Sequence, residues 1–259
     1  MERENIMEEI AYKLKNREKE IIDNLLRFRF LNRPQVQTIL NHKYKEKVIR
    51  WLNNLTKRGY IFRIYSKEFA GIPSIYCLDK GSIPYLREKE VEERIIKRIY
   101  KEKTRSQTFR DRCLLIADIY LSLQKQSKKD KTNLDFYTQM DLENIDHLPD
   151  NLPHAYFSIK GTSKRTKRYF LEIFDPQSPR FWIIERVSQY IEYFQGDEWQ
   201  DNTNTKFPEV ILVAPDEKSE RYLKKQIREQ AEDEEIVFRL ITKGKLQNTS
   251  IENIWDKVE

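Results

Sequence analysis

The stretch FPEVILVAP, Phe207 to Pro215, constrains what this chain can fold into more than any other. In a sequence with 35% charged residues it is a short, nearly unbroken apolar run. A strand of that length with apolar side chains pointing both ways is buried on both faces, which places it at the centre of a sheet covered by helices. The neighbouring segments fit. PRFWIIERVSQYIEYFQ before it and EKSERYLKKQIREQAED after it have helical character, and EIVFRLIT reads as a further strand. Upstream, RDRCLLIADIYLSLQKQ is an amphipathic helix and NLDFYTQMDL a strand. HAYFSIKG and RYFLEIFD are two more strands, joined by a basic hairpin loop. The order α-β-β-β-α-β-α-β predicts an α/β domain with a mixed sheet over residues 109–259.

The first third has a different rhythm. EKEIIDNLLRFRFL, from Glu18 to Leu31, carries Ile21, Ile22, Leu25, Leu26 and Phe28 at helical spacing. Asn32 is placed to cap a second short helix with Pro34 in its first turn, turning Val36, Ile39 and Leu40 inward. YKEKVIRWLNNLTKRG is a third helix, with Val48, Trp51, Leu52 and Leu55 as its stripe and Gly59 as its stop. The period then changes to alternation in YIFRIYSKEFAGIPSIYCLDKG, a hairpin with its turn near Gly71 and Pro73. Three helices followed by a two-stranded wing predict an α+β winged helix-turn-helix over residues 1–86.

The charge pattern points to duplex DNA as its partner. Lys43, Lys45, Lys47, Arg50, Lys57, Arg58, Arg63 and Lys67 fall in one window whose single acid is Glu46, a local surplus larger than the +6 of the whole chain. Lys43, Lys47 and Arg50 lie on the helix face away from the stripe, in reach of a major groove or its phosphates. In the second domain the loop KGTSKRTKR sets Lys160, Lys164, Arg165, Lys167 and Arg168 together without an acid, a phosphate-contact pattern. Between the domains, residues 87–108 read as a charged connector helix with Val91, Ile95, Ile96, Ile99 and Tyr100 on one face. Glu90–Arg94 and Glu93–Lys97 are its i,i+4 pairs, and the boundary follows at TRSQT. A homodimer is compatible with such a helix and with two-fold DNA sites.

Several classes are excluded. No apolar run approaches the ~18 residues of a bilayer span, and the charged first twenty residues contain no signal-peptide segment, so a cytoplasmic protein is expected. Cys77 and Cys113 are far apart and lack a C-x-x-C partner, so both are expected as small core residues rather than zinc ligands. Six glycines form no phosphate-cradling loop, and His42, His147 and His154 support no Ser-His-Asp arrangement.

The strand pair around LPHAYFSIK and RYFLEIFD resembles the PD-(D/E)XK nuclease-like fold. In active members an Asp opens one strand and the next carries an acid, a spacer and a Lys. The two carboxylates hold Mg²⁺, and the Lys points the same way to position water or offset phosphate charge. Here those positions are His154, Glu172 and Phe174. Asp150, Asp175, Lys160 and Arg168 are the nearby residues that a rearranged site would draw on, with Asp175 facing away on a regular strand. Gln189 and Tyr193 repeat a Q-x-x-x-Y spacing found in some nucleases of this fold. No cofactor is expected unless the chain is a nuclease built on Glu172, His154 and Gln189, in which case Mg²⁺ is.

VIRWLNNLTKRGYIFRI with IYCLDKG, then CLLIADIYLSL, LPHAYFSIK, RYFLEIFD and QYIEYF in that order, together resemble the replication-relaxation family over about residues 18–241. Where that family usually shows Pro-Asp-Ala, this chain has Pro153-His154-Ala155. The resemblance implies DNA binding in the replication, maintenance or transfer of a plasmid or other mobile element, with a catalytically degenerate nuclease-like domain. A nicking endonuclease and a transcription regulator dimerising through its C-terminal domain are the alternatives.

Overall fold

A computed structural model describes residues 14–65, 72–161, 166–231, 235–248 and 256–257. The chain separates into two units, Met1–Ala117 and Asp118–Glu259. The division falls inside one helix, Gln107–Asp130.

In the first unit, α1 (Asn16–Phe28) buries Ile21, Ile22, Leu25 and Phe28 along one stripe. The next helix, α2 (Arg33–Ile39), is closed by a capping box. Gln35 N–H donates to Asn32 Oδ1 at 2.9 Å and Asn32 N–H to Gln35 Oε1 at 3.0 Å, with Pro34 in the first turn. α3 (Lys45–Lys57) buries Val48, Leu52 and Leu55. It ends as expected ahead of Gly59, whose φ of +73° is open to glycine at no steric cost. Strands β2 (Ile61–Ile64) and β3 (Ile75–Leu78) pair antiparallel, with Ile61 opposite Leu78 and Ile64 opposite Ile75. The expected turn at Gly71, and Lys67 with it, lie outside the described residues.

Other features depart from the sequence reading. The first helix stops at Phe28 rather than Leu31, because Arg29 takes a positive φ of 65°. The residues after it form β1 (Leu31–Asn32), which pairs with β3 to give a three-stranded sheet in the order β1-β3-β2. Arg29 also donates to Glu102 Oε1 through Nε at 3.1 Å and Nη2 at 2.6 Å. That pairing ties in α5 (Glu93–Glu102), which follows a short α4 (Ile83–Glu88). The helix expected as a connector thus buries Ile95, Ile96 and Ile99 within the first unit, but Tyr100 is 55% exposed rather than part of the apolar face. Its carboxylates pair differently as well: Glu93 with Arg87 and Glu92 with Arg94, each at 2.6 Å. Cys77 and Cys113 are free thiols buried with Phe30, and burial pushes both up to about 12. They are core residues, as expected.

The second unit begins within α6 (Gln107–Asp130), where Tyr120 packs on Phe136 of β4 (Asn133–Thr138) at 5.3 Å between ring centroids. After a one-turn α7 (Gln139–Leu142) come β5 (Ala155–Lys160) and β6 (Thr166–Ile173), and then α8 (Arg180–Gln195) with a short α9 (Glu198–Thr203). β7 (Glu209–Ala214), α10 (Glu217–Ala231), β8 (Phe238–Thr242), α11 (Lys243–Asn248) and β9 (Asp256–Lys257) follow among the described residues. The six strands run β4-β5-β6-β7-β8-β9. β4 to β6 pair antiparallel, β6 to β8 parallel, and β9 antiparallel to β8, which makes the sheet mixed. As its unbroken apolar run required, β7 is central, with Val210, Ile211, Leu212, Val213 and Ala214 at most 1% exposed. Helices α8 and α10 bury Ile183, Val187, Tyr190, Leu223 and Ile227 against Phe170, Val210, Leu212 and Leu240. Among the described residues no helix is long and apolar enough to cross a membrane.

Candidate functional site

Alternation along β6 puts Phe170, Glu172 and Phe174 on the face that meets α8. An acid in that row is surrounded by core, and Glu172 is only 6% exposed. Its neutralisation comes from α8. Arg186 donates to Glu172 Oε2 through Nε at 2.9 Å, and its Nη2 lies 2.8 Å from the same oxygen. Tyr190, one turn further along α8, donates its hydroxyl to Oε2 at 3.0 Å. His154, just ahead of β5, brings Nδ1 to 2.8 Å from Oε1, with Ile173 N–H also directed at that nitrogen at 3.1 Å.

Arg186 is held on its other side too. Nη1 donates to Asn151 O at 2.7 Å and to Gln189 Oε1 at 3.1 Å, and Gln189 Oε1 also accepts from Asn151 Nδ2 at 2.9 Å. The guanidinium lies 4.4 Å from the centroid of the Tyr190 ring. Burial alone disfavours a charged carboxyl at Glu172, but the Arg186 charge, with His154 behind it, outweighs that and holds the group down to about 2. The same pairing raises Arg186 against its own desolvation. Burial pushes the Tyr190 phenol well above its ordinary value. The result is a closed, charged, hydrogen-bonded cluster inside an apolar layer.

Those contacts bring together three residues named from the sequence, His154, Glu172 and Gln189, and separate others. Phe174, at the position of the expected Lys, is buried in the core cluster with Phe170 and Ile183. Tyr193 belongs to that core and donates to His147 O at 2.7 Å, so the Gln189–Tyr193 spacing serves packing at one end and Arg186 at the other. Asp150 and Lys160 are exposed, and Arg168 is half-buried. Asp175 is half-buried as well, its N–H directed at Ser178 Oγ at 3.2 Å. Arg186, Tyr190 and Asn151 were missed. One signal pointed to Arg186: a lone cation within the stripe Ile183-Val187-Tyr190-Ile191, opposite a lone acid within YFLEIF. Two opposite charges embedded in two apolar patterns demand each other as partners.

A divalent cation does not fit this arrangement. Both carboxylate oxygens of Glu172 are engaged, and the position beside Oε2 is filled by a guanidinium. Among the described residues no group of three or more His, Cys, Asp or Glu side chains is arranged to hold a metal ion.

The basic residues of the first unit are displayed differently. Lys43, Lys45, Lys47, Arg50 and Lys57 are exposed on α3 or just ahead of it. Arg58 is not. Its Nη1 lies 3.3 Å from Oε2 of Glu18, a carboxylate 1% exposed that also accepts from Asn54 Nδ2 at 2.6 Å. Arg63 is half-buried, donating to Ser74 Oγ at 3.0 Å and lying 4.5 Å from the Tyr65 ring. In the second unit Lys167 is exposed on β6, while Lys164 and Arg165 lie outside the described residues.

The replication-relaxation family matches residues 23–210, most of the chain. The protein belongs to this family. No curated protein matches it significantly. Among solved structures, two of the restriction endonuclease FokI are similar, one of them bound to DNA. They share 13% and 12% identity with this replication-relaxation protein, at a TM-score of 0.30 each. The alignments cover 89% of this chain and 42% and 43% of theirs, so the chain spans less than half the length of those structures.

Proposed function

We propose that this replication-relaxation protein binds duplex DNA without cutting it, in the replication, maintenance or transfer of a plasmid or similar element. The observation that carries the reading is the charge displayed along α3, where Lys45, Lys47, Arg50 and Lys57 stand exposed with Lys43 just ahead and Glu46 as the only acid among them. Three helices, a hairpin and the short β1 strand support a winged helix, in which α3 enters the major groove and the hairpin flanks it. Lysines on such a face mostly meet phosphates, so they supply affinity more than sequence choice. Arg58 is left out of the contact set because its guanidinium serves the buried Glu18.

The second unit acts on this reading as a platform of nuclease-like descent, with Lys167 and the basic hairpin loop as a second phosphate contact. Strand order, with two antiparallel strands leading into parallel ones, supports the descent. Loss of cleavage follows from Arg186: a fixed guanidinium neutralises the one carboxylate that a metal would need. The alternative, a nicking endonuclease using Glu172, His154 and Gln189 with Mg²⁺, requires Arg186 to leave a buried pair, at a cost of several kcal/mol.

Supercoiled plasmid and linear duplex, each incubated with the protein in Mg²⁺, Mn²⁺ or EDTA, test both readings in one gel. The expected result is retarded DNA that remains intact in all three conditions, with retardation weakened by Lys47→Ala and Arg50→Ala together. Metal-dependent nicking that disappears in Glu172→Ala would make the protein a nuclease.

A further inference from the structure

We infer that Tyr44 is a sequence-reading residue that packs its ring on the C5-methyl of a thymine, with His42 and Trp51 as its positioning residues. The inference rests on the DNA-binding reading of α3 and deepens it. Tyr44 stands at the head of α3 and is 54% exposed. It occupies the N-cap position but makes no capping hydrogen bond through its side chain, so closing the helix does not explain the ring.

The residue is nonetheless held firmly. Its N–H donates to His42 Nδ1 at 3.1 Å, and the two rings meet edge-on at 6.0 Å. The His42 ring in turn stands edge-on to Trp51, 4.9 Å away, and Gln37 Nε2 donates to His42 O at 3.2 Å. Trp51 is anchored on α3, so the ladder Trp51–His42–Tyr44 fixes an aromatic side chain that faces solvent. Holding a side chain in place before a partner arrives removes the ordering cost of binding.

The surroundings specify the partner. The ammonium groups of Lys43 and Lys47 lie 5.8 Å and 5.5 Å from the Tyr44 centroid, with Lys45 exposed beside them. A free phosphate would engage the lysines and leave the ring without a role. The major groove offers both features at once, a row of phosphates and an apolar methyl on each thymine. On docking, the ammoniums move to phosphates and uncover the ring face for that methyl.

The test uses the full-length protein to select duplex sites from a randomised pool. Affinity for the enriched site, relative to a scrambled competitor, is then measured for wild type, Tyr44→Phe and Tyr44→Ala. Each thymine of the site is also replaced in turn by deoxyuridine, which lacks only the methyl. Tyr44→Ala should lower the ratio on the order of tenfold with an unchanged salt dependence, whereas Tyr44→Phe retains it. One deoxyuridine should cost wild type a similar factor and cost Tyr44→Ala nothing. His42→Ala should lower the ratio in wild type but not in the Tyr44→Ala background. An equal loss on site and competitor, an unchanged ratio, a pool without an enriched site, or a deoxyuridine penalty that survives in Tyr44→Ala would each overturn the assignment. Wild type that fails to bind any duplex would remove the DNA reading itself, a result separate from all of these.

Discussion

A guanidinium among Ile183, Val187 and Tyr190 is tolerable only because Glu172 faces it, and each of the two would be a buried, uncompensated charge without the other. Arg186→Ala is therefore expected to lower unfolding free energy by roughly 3–5 kcal/mol, and replacing both partners by apolar residues of similar size should cost less than either single change. Urea titration of the three variants measures this. The same pair sets an acid limit. With its folded value at about 2 against an ordinary 4.5, Glu172 contributes stability fully above pH 4.5 and loses it as pH falls towards 2. Repeating the titrations between pH 6 and pH 3 should show a decline in wild type that Glu172→Gln flattens. Glu172 itself was legible as the acid of the site, but Arg186 was legible only as a lone cation in an apolar stripe, because helical spacing alone does not tell which strand residue a helix face will meet.

At the scale of elements, the end of α3 is locked to the start of the turn after β3. Gly81 N–H donates to Gly59 O at 2.9 Å, and a Cβ on Gly81 would lie 2.6 Å from that same carbonyl oxygen. One of the two backbones has to shift, so Gly81→Ala should destabilise the protein by about 1–3 kcal/mol through forced separation of the two segments. A fall in the thermal midpoint of Gly81→Ala, with none of that size in Gly244→Ala, where a Cβ meets nothing within 4 Å, checks it. Gly59 was readable as a helix stop because it ends an amphipathic run. The need for glycine at Gly81 was not, since it arises from a close approach between residues 22 positions apart. Strand β1 escaped for a related reason: two residues carry no period, and only pairing with Tyr76 and Ile75 makes them a strand.

At the scale of the whole molecule, charge display decides what binding should look like. Five exposed cations on and ahead of α3, at a slope of about 0.9 per neutralised phosphate, limit that face to a salt dependence of about −4 to −5 in log–log terms. Equilibrium binding to duplex across a range of salt concentrations should stay within that limit if α3 alone makes contact. A steeper slope, reduced by Lys160→Ala and Lys167→Ala, would assign the difference to the basic hairpin of the second unit. Net charge of +6 cannot distinguish these cases; it does not say which cations are displayed and which, like Arg58, are bound to a buried acid.

The sequence by itself determined the elements whose pattern is local: three N-terminal helices and a hairpin, the apolar β7, the alternation of strands and helices around it, and the family to which they belong. Hydrophobic period and capping residues act over a few positions, so they can be read without knowing the fold. Tertiary structure alone decided the rest. It set Arg186 against Glu172, sent Arg58 to Glu18, and stacked Trp51 and His42 behind Tyr44. A charged side chain has the same chemistry in every sequence context, and its role is fixed by whether folding leaves it facing water or facing an opposite charge in a medium that cannot solvate it.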